Sequence, residues 1–416
     1  MSTHRATSPT TRLSRRTVGG AALALGALGA TGPTASAVTS RPGPATGRGR
    51  WAERAEDAYA ALQRHFAVRD GSRLYLEHWP AAPEDPTYSY EWPFSQAHGA
   101  TLDLTGLPGA TGRRYLDDLA ERRTGQRRYY SAAGSTGLPG YASAPTAPWG
   151  SGGDFFYDDN EWVGLIDVQR HLMHRDPAAV RDARMIFELV VSGWDDDPSH
   201  PAPGGVFWTQ ADWSQDRNTV SNMPGAQLGL RLFQLTRERR FLDWARRMYA
   251  WTNQHLQIRE GAQAGLYHDH LDLAGTVEKT VWSYNQGVPV GVNTLLHRVT
   301  GERRYLREAC RVADAARRFY AQPDPEQPGL TRLDTQPVFF NSIYFKNLLL
   351  LASVTGDRRA ADDMAAYADR LWRTRRDRET GVFRFGGDST QMIEQAAVVQ
   401  LFAVLAWSRK DWSLLY

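Results

Sequence analysis

Leu235-Thr236-Arg237-Glu238-Arg239-Arg240-Phe241-Leu242 returns as Val299-Thr300-Gly301-Glu302-Arg303-Arg304-Tyr305-Leu306, and again as Val354-Thr355-Gly356-Asp357-Arg358-Arg359. A looser copy is Thr111-Gly112-Arg113-Arg114-Tyr115-Leu116. A left-handed glycine closes one helix and the polar residues after it open the next, so the phrase reads as the turn of a helical hairpin.

The helices on the two sides of the turn differ in character. Leading ones are apolar nearly all round: Val338 to Ala352 holds Phe339, Phe340, Ile343, Tyr344, Phe345 and Leu348 through Leu351, and Met392 to Trp407 is similar. Such helices are buried on every side. Trailing ones are amphipathic: in Phe241 to Leu256, Leu242, Ala245, Tyr249 and Leu256 share a stripe, with Arg240, Asp243, Arg246 and Arg247 opposite. Those belong on an outer surface.

Inner helices are expected to begin near Trp92, Asn160, Asn218, Tyr284, Asn341 and Ser389, and outer helices to run near 51–67, 113–122, 177–193, 239–257, 302–321 and 358–374. Six of each predict an all-α fold, an (α/α)6 barrel or toroid of six helical hairpins. An open α-solenoid is the rival. Closure is favoured because the apolar Met392 helix, last in the series, needs cover on both sides.

The flanking sequence sets the domain plan. Ser14-Arg15-Arg16-Thr17-Val18 precedes a Gly/Ala-rich apolar run from Ala21 to Ala30 and a small-residue Ala35-Ser36-Ala37 end, so residues 1–37 read as a twin-arginine export signal. The run is too short to span a bilayer, and secretion to the outside of the cell is the expected destination. Residues 38–50, rich in Pro, Gly, Ser and Thr, read as a flexible linker, and 51–416 as one domain.

Composition narrows the function. The signal carries four arginines and no acid, so without it the formal charge moves from +3 to −1. A nucleic-acid partner would be expected to leave a basic surplus or stripe, and neither is evident. Cys310 is the lone cysteine, which excludes an intrachain disulfide and leaves stability to the core. No stable membrane insertion is expected, and a monomer is.

Chemistry concentrates on the long loops that feed the inner helices, all opening on one end of the barrel. One junction reads Asp154-Phe155-Phe156-Tyr157-Asp158-Asp159-Asn160-Glu161-Trp162. Two aspartates at a helix start have a plain explanation, as a cap and as charges that favour the dipole. Their aromatic flanks and their place on an inner helix point instead to the barrel mouth. Glycoside cleavage commonly needs one ionised and one protonated carboxyl, roughly 5–5.5 Å apart in retaining enzymes, and adjacent residues at a helix start are able to meet that spacing.

Other clusters carry weaker signals. Trp194-Asp195-Asp196-Asp197-Pro198 reads as a solvated turn before a calcium loop, because the remaining ligands are not spaced for one. His268 and His270 have metal-like spacing but no evident third ligand. Trp149, Trp162, Trp208, Trp213 and Trp282 lie on the long loops or at inner-helix starts, where each is as suited to core packing as to stacking on a sugar ring.

Tyr157-Asp158-Asp159-Asn160-x-Trp162, Gly204-Gly205-Val206-Phe207-Trp208, Asn218-Thr219-x-Ser221-Asn222 and Val281-Trp282-Ser283-Tyr284-Asn285-Gln286-Gly287 follow in an order that resembles glycoside hydrolase family 76. That family includes bacterial endo-α-1,6-mannanases and fungal cell-wall proteins. The resemblance implies a retaining double displacement on an α-mannan-type polysaccharide or oligosaccharide, with Asp158 as nucleophile and Asp159 as acid/base. It implies no metal and no organic cofactor. Substrate-binding residues on this basis are Tyr157, Asn160, Trp162, Trp208, Asn218, Asn222, Asp269, Trp282, Tyr284, Asn285 and Gln286. His270 stands where relatives often have glycine after the residue matching Asp269, which bears on the substrate more than on the reaction. A cell-wall glycan transglycosylase and an inactive glycan-binding protein are the alternatives, the intact aspartate pair speaking against the second.

Overall fold

The computed structural model describes residues 47–416. The export signal and linker residues 38–46 lie outside the described residues. The first helix begins at Arg48, so residues 48–50 belong to the barrel and not to the linker.

Six inner helices form a closed ring: α2 (Glu91–Thr105), α5 (Tyr157–His174), α7 (Thr219–Thr236), α9 (Ser283–Thr300), α11 (Val338–Thr355) and α13 (Met392–Ala406). Each packs on the next, and α13 packs back on α2, so the toroid is closed as expected. The outer layer is α1 (Arg48–His65), α4 (Leu116–Gln126), α6 (Pro177–Ser192), α8 (Arg239–His255), α10 (Arg303–Tyr320) and α12 (Arg359–Thr374). Each outer helix covers an inner one, with α1 on α13. The inner helix α11 is long and apolar enough to cross a membrane, but it is mostly buried inside the barrel.

The repeated phrase folds as its residues dictate. Gly301 and Gly356 adopt φ of 74° and 75° and return their N–H groups to His297 and Ala352. Where the phrase has Arg237 instead, the arginine takes φ 62°, a left-handed state costing roughly 1–2 kcal/mol without glycine. The threonine recurs for a separate reason. Thr236, Thr300 and Thr355 each accept at Oγ1 the N–H two residues on, at Glu238, Glu302 and Asp357.

The looser copy at Thr111 departs from the expectation. The turn after α2 comes earlier, with Gly109 at φ 66°, and Gly112 lies inside a four-residue helix, α3 (Ala110–Arg113). The expected outer helix at 113–122 is thus broken at Arg114 and Tyr115 and continues to Gln126.

All inner helices present their N-termini to the mouth, where short antiparallel ribbons order the loops. The largest joins Arg217–Asn218, His270–Leu271 and Val277–Glu278. The opposite half of the barrel is filled by a 3-10 turn (Arg409–Leu414) and by Tyr416, whose ring lies 6.1 Å from Trp162.

Candidate active site

The first turn of an inner helix needs its incoming loop held, and in five of six the fourth residue does this with an amide. Asn160 accepts the Tyr141 N–H at 2.7 Å and donates to the carbonyls of Tyr141 and Phe156. Asn222 repeats the pattern with Val206 N–H, Val206 O and Asn218 O. Gln286 repeats it with Tyr267 N–H, Tyr267 O and Trp282 O. Asn341 and Gln395 hold Leu333 O and Phe383 N–H at the same register.

These clamps show what part of the expected binding set does within the fold. Asn160, Asn222 and Gln286 are fully buried with both ends of their amides bonded to backbone, so they position loops. Tyr157 is buried as well. Its ring is buried beneath Gly193, where a Cβ would lie 2.4 Å from it, on the outer side of α5. Trp162, 1% exposed, sits one helical turn below Asp158 and packs on Tyr416, forming the floor of the mouth without offering a free face.

Asp158 and Asp159 occupy the second and third positions of α5, 1% and 9% exposed. The positive end of the α5 dipole favours a carboxylate there. Two further carboxyls stand close by, neither with a cation partner among the described residues. Glu91, first residue of α2, is wholly buried and accepts a hydrogen bond from Gln126 Nε2 at 2.5 Å. Its backbone N–H meets Ser143 O, on the loop whose Tyr141 is clamped by Asn160, so α2 and α5 share one support. Burial holds the Glu91 pKa well above the carboxylate range, with the charges of Asp159 and Asp158 adding to the effect. Glu161 is raised likewise, by burial first and then by Asp158. In both, burial favours the neutral carboxyl beside the aspartate pair.

The remaining expected residues gather on the next inner helices of the ring. Asn285 donates to Asp269 Oδ1 at 2.9 Å, and Asp269 Oδ2 meets His270 Nδ1 at 3.1 Å. Asn218 faces His270 across the ribbon, and the buried side-chain oxygens of Asn218 and Asn285 have no hydrogen-bond partner among the described residues. Tyr284 stacks on Phe340 with centroids 3.9 Å apart, and half-buried Trp282 meets the same ring edge-on. Half-buried Trp208 packs on Phe156, just before α5. Burial works to lower the His270 pKa, but its bond to Asp269 and the charges of Asp269, Asp216 and Glu278 together outweigh that and leave it raised.

Sequence reasoning missed Glu91 and Arg217. Glu91 belongs to no motif. Arg217 is fully buried, pairs with Asp195 at 2.7 Å and donates to the carbonyls of Pro201, Ala202 and Asp272, organising the loop into α7. The loop at Asp195 is therefore not simply a solvated turn: Asp197 caps one, but Asp195 is inside. Among the described residues no cluster of three or more His, Cys, Asp or Glu is placed to hold a metal ion.

The model of glycosyl hydrolase family 76 matches residues 50–409. The chain belongs to this family. Among curated family 76 relatives it is similar to mannan endo-1,6-alpha-mannosidase DCW1 of Candida glabrata, 29% identical over 140 residues, 32% of this chain and 31% of that one. DCW1 of Saccharomyces cerevisiae is 28% identical over 125 residues, 29% of this chain and 27% of that one. The match spans about a third of the length of these relatives. Among solved structures, a family 76 mannosidase of Bacteroides thetaiotaomicron superposes with TM-score 0.74 at 23% identity, covering 86% of this chain and 98% of that one. An inactive variant of the α-1,6-mannanase of Salegentibacter sp. HEL1_6, with two consecutive aspartates changed to asparagine, is described in complex with α-1,6-mannotriose. It gives TM-score 0.66 at 18% identity over 86% of this chain and 99% of that one.

Proposed function

We propose that this glycoside hydrolase cuts α-1,6-linked mannan within the chain, by a retaining double displacement, after export by the twin-arginine route. The observation that carries the reading is the Asp158–Asp159 pair at the start of α5, in the mouth of the ring. Family membership supports it, as do the names of the fungal relatives and the paired aspartate exchange in the inactive Salegentibacter variant.

In the first step Asp158 attacks the anomeric carbon while Asp159 gives its proton to the departing glycosidic oxygen. In the second, Asp159 takes a proton from water, and the hydroxide displaces Asp158 to release the sugar with its original configuration. Burial favours the neutral forms of Glu91 and Glu161, and the positive end of the α5 dipole supports the Asp158 carboxylate. Asn218, Asp269 and Asn285 supply polar groups that orient the sugar, and Trp208, Trp282 and Tyr284 supply its apolar walls.

The test is hydrolysis of defined α-1,6-mannooligosaccharides, with the anomer of the first product read by proton NMR. An α-product and a covalent sugar on Asp158 in a slowed reaction support the reading. A β-product overturns the double displacement, and full activity in both Asp158→Asn and Asp159→Asn overturns the residue roles. Sugar-to-sugar transfer products in place of free ends would identify a transglycosylase. Loss of export after replacing Arg15 and Arg16 by lysine tests the route.

A further inference from the structure

Trp213 is 57% exposed, the most open large apolar side chain among the described residues. Its indole is nonetheless held in place. Nε1 donates to Asp154 Oδ2 at 3.3 Å, and the ring packs on Trp208 (5.7 Å, 82°) and Phe156 (6.0 Å, 53°). Trp208 in turn meets Phe156 at 5.0 Å, and Phe156 lies two residues before Asp158. A continuous aromatic path therefore runs from the start of α5 to solvent. An indole left in water gives up part of the free energy its burial would contribute. Fixing it in one orientation while keeping it open suits a surface that receives a ligand.

Beside it lies a cavity of 220 Å³, lined by Asp154 itself and by Ser131, Gly134, Ser135, Phe155 and Gln210. Gln210 is anchored by the Ser135 N–H at 2.8 Å and donates to Thr136 Oγ1, so the wall is ordered and carries hydroxyl, amide and carboxylate groups. An apolar plate flanked by fixed polar groups matches a pyranose, whose ring carbons present C–H faces and whose rim presents hydroxyls.

We propose that Trp213 and the cavity beside Asp154 form a distal subsite that holds a pyranose unit of the substrate polymer away from the bond being cut. The proposal rests on the α-mannan reading for the identity of the polymer. Such a subsite binds only chains long enough to reach it, so its removal acts in proportion to length.

The experiment compares the wild-type enzyme with Trp213→Ala and Trp213→Phe on α-1,6-mannooligosaccharides of increasing length. In Trp213→Ala, kcat/KM falls about tenfold more for the longest substrate than for the shortest, through KM, and the position of cutting shifts. Trp213→Phe lies between, since it keeps a stacking face and loses the bond to Asp154. An equal loss at all lengths overturns the subsite and makes Trp213 a support for the α5 loop, as does no loss at any length. Inactivity of the wild type on every length sinks the substrate reading instead. Affinity electrophoresis of Asp158→Asn and Asp158→Asn/Trp213→Ala in a panel of soluble glycans then decides the subsite: retardation lost with Trp213 upholds it, and equal mobility of the two in all glycans overturns it.

Discussion

The two halves of the barrel bury polar groups in opposite ways. At the mouth, Glu91, Asp158, Asp159 and Glu161 crowd four carboxyls into the first turns of α2 and α5. About 16–18 Å further along the same helices, by helical rise, Asp103 of α2 meets Lys346 of α11 at 2.6 Å, both wholly buried. Gln169 of α5 donates to the other Asp103 oxygen, and Lys346 reaches the Tyr416 hydroxyl. Burial works to lower the Lys346 pKa, and the Asp103 and Tyr416 charges with their hydrogen bonds together more than offset it. Charge matched by opposite charge serves the fold. Like groups gathered together store a protonation difference that chemistry can use.

The largest expected effect breaks this comparison at the mouth. Asp158→Asn and Asp159→Asn should each lower kcat/KM on a long oligosaccharide by about 10³-fold or more. The melting temperature should hold or rise, because a buried carboxyl crowded by others is removed. A clear fall in melting temperature with activity kept would reverse the assignment and make the pair a structural cap.

The deep pair should behave the other way. Lys346→Met leaves Asp103 buried without its cation and is expected to cost about 3–5 kcal/mol in urea unfolding. Adding Asp103→Asn should recover part of that loss, since neutral replacements of a buried pair are often tolerated. If the single and double variants are equally destabilised, packing around Lys346 and not charge explains the loss.

A smaller effect separates clamps from ligands. Asn222→Ala deprives buried Val206 N–H and C=O groups of their partner and should cost about 2–3 kcal/mol of stability. A raised KM with an unchanged melting temperature would instead make Asn222 a sugar ligand.

The clamps also explain what could and could not be read from the chain. Helical hairpins are written locally: the Thr-Gly-Glu phrase fixes the turn, and all-round apolar runs such as Val338–Ala352 assign the inner layer. The aspartate pair was legible because its helix could be ranked as inner. The binding set was only partly legible, because an asparagine that pins a loop and one that contacts a sugar look alike in sequence. Asn160, Asn222 and Gln286 share motifs with Asp158, Asn218 and Asn285, and only the partners of their amides tell them apart. Glu91 was hidden for a different reason. Its significance arises from the closing of α2 against α5, a contact between residues 67 and 68 positions apart that no local pattern encodes. The break at Arg114 has the same origin, since Gly112 reads as a turn glycine until packing makes it helical.

The smallest expected effect sharpens the comparison through pH. Glu161 ionises in the unfolded chain near its ordinary value of 4.5, while burial and then the Asp158 charge raise its pKa in the folded state. Above that pH the folded state therefore binds the extra proton. The stability contributed by the neutral carboxyl is complete below the unfolded value and declines as pH rises towards the folded one. Glu161→Gln cannot ionise in either state, so its melting temperature should fall less than that of the wild type between pH 5 and 8. The gain should grow steadily from pH 5 to pH 8. Lys346 is charged folded and unfolded across this range, so its replacement gives no such relief, and a rising difference for Glu161→Gln beside a flat or falling one for Lys346→Met would distinguish crowded carboxyls from a matched pair. A Glu161→Gln variant that is less stable by the same amount at every pH would mean that the carboxyl serves packing alone, and that the like-charge reading of the mouth ends with Asp158, Asp159 and Glu91.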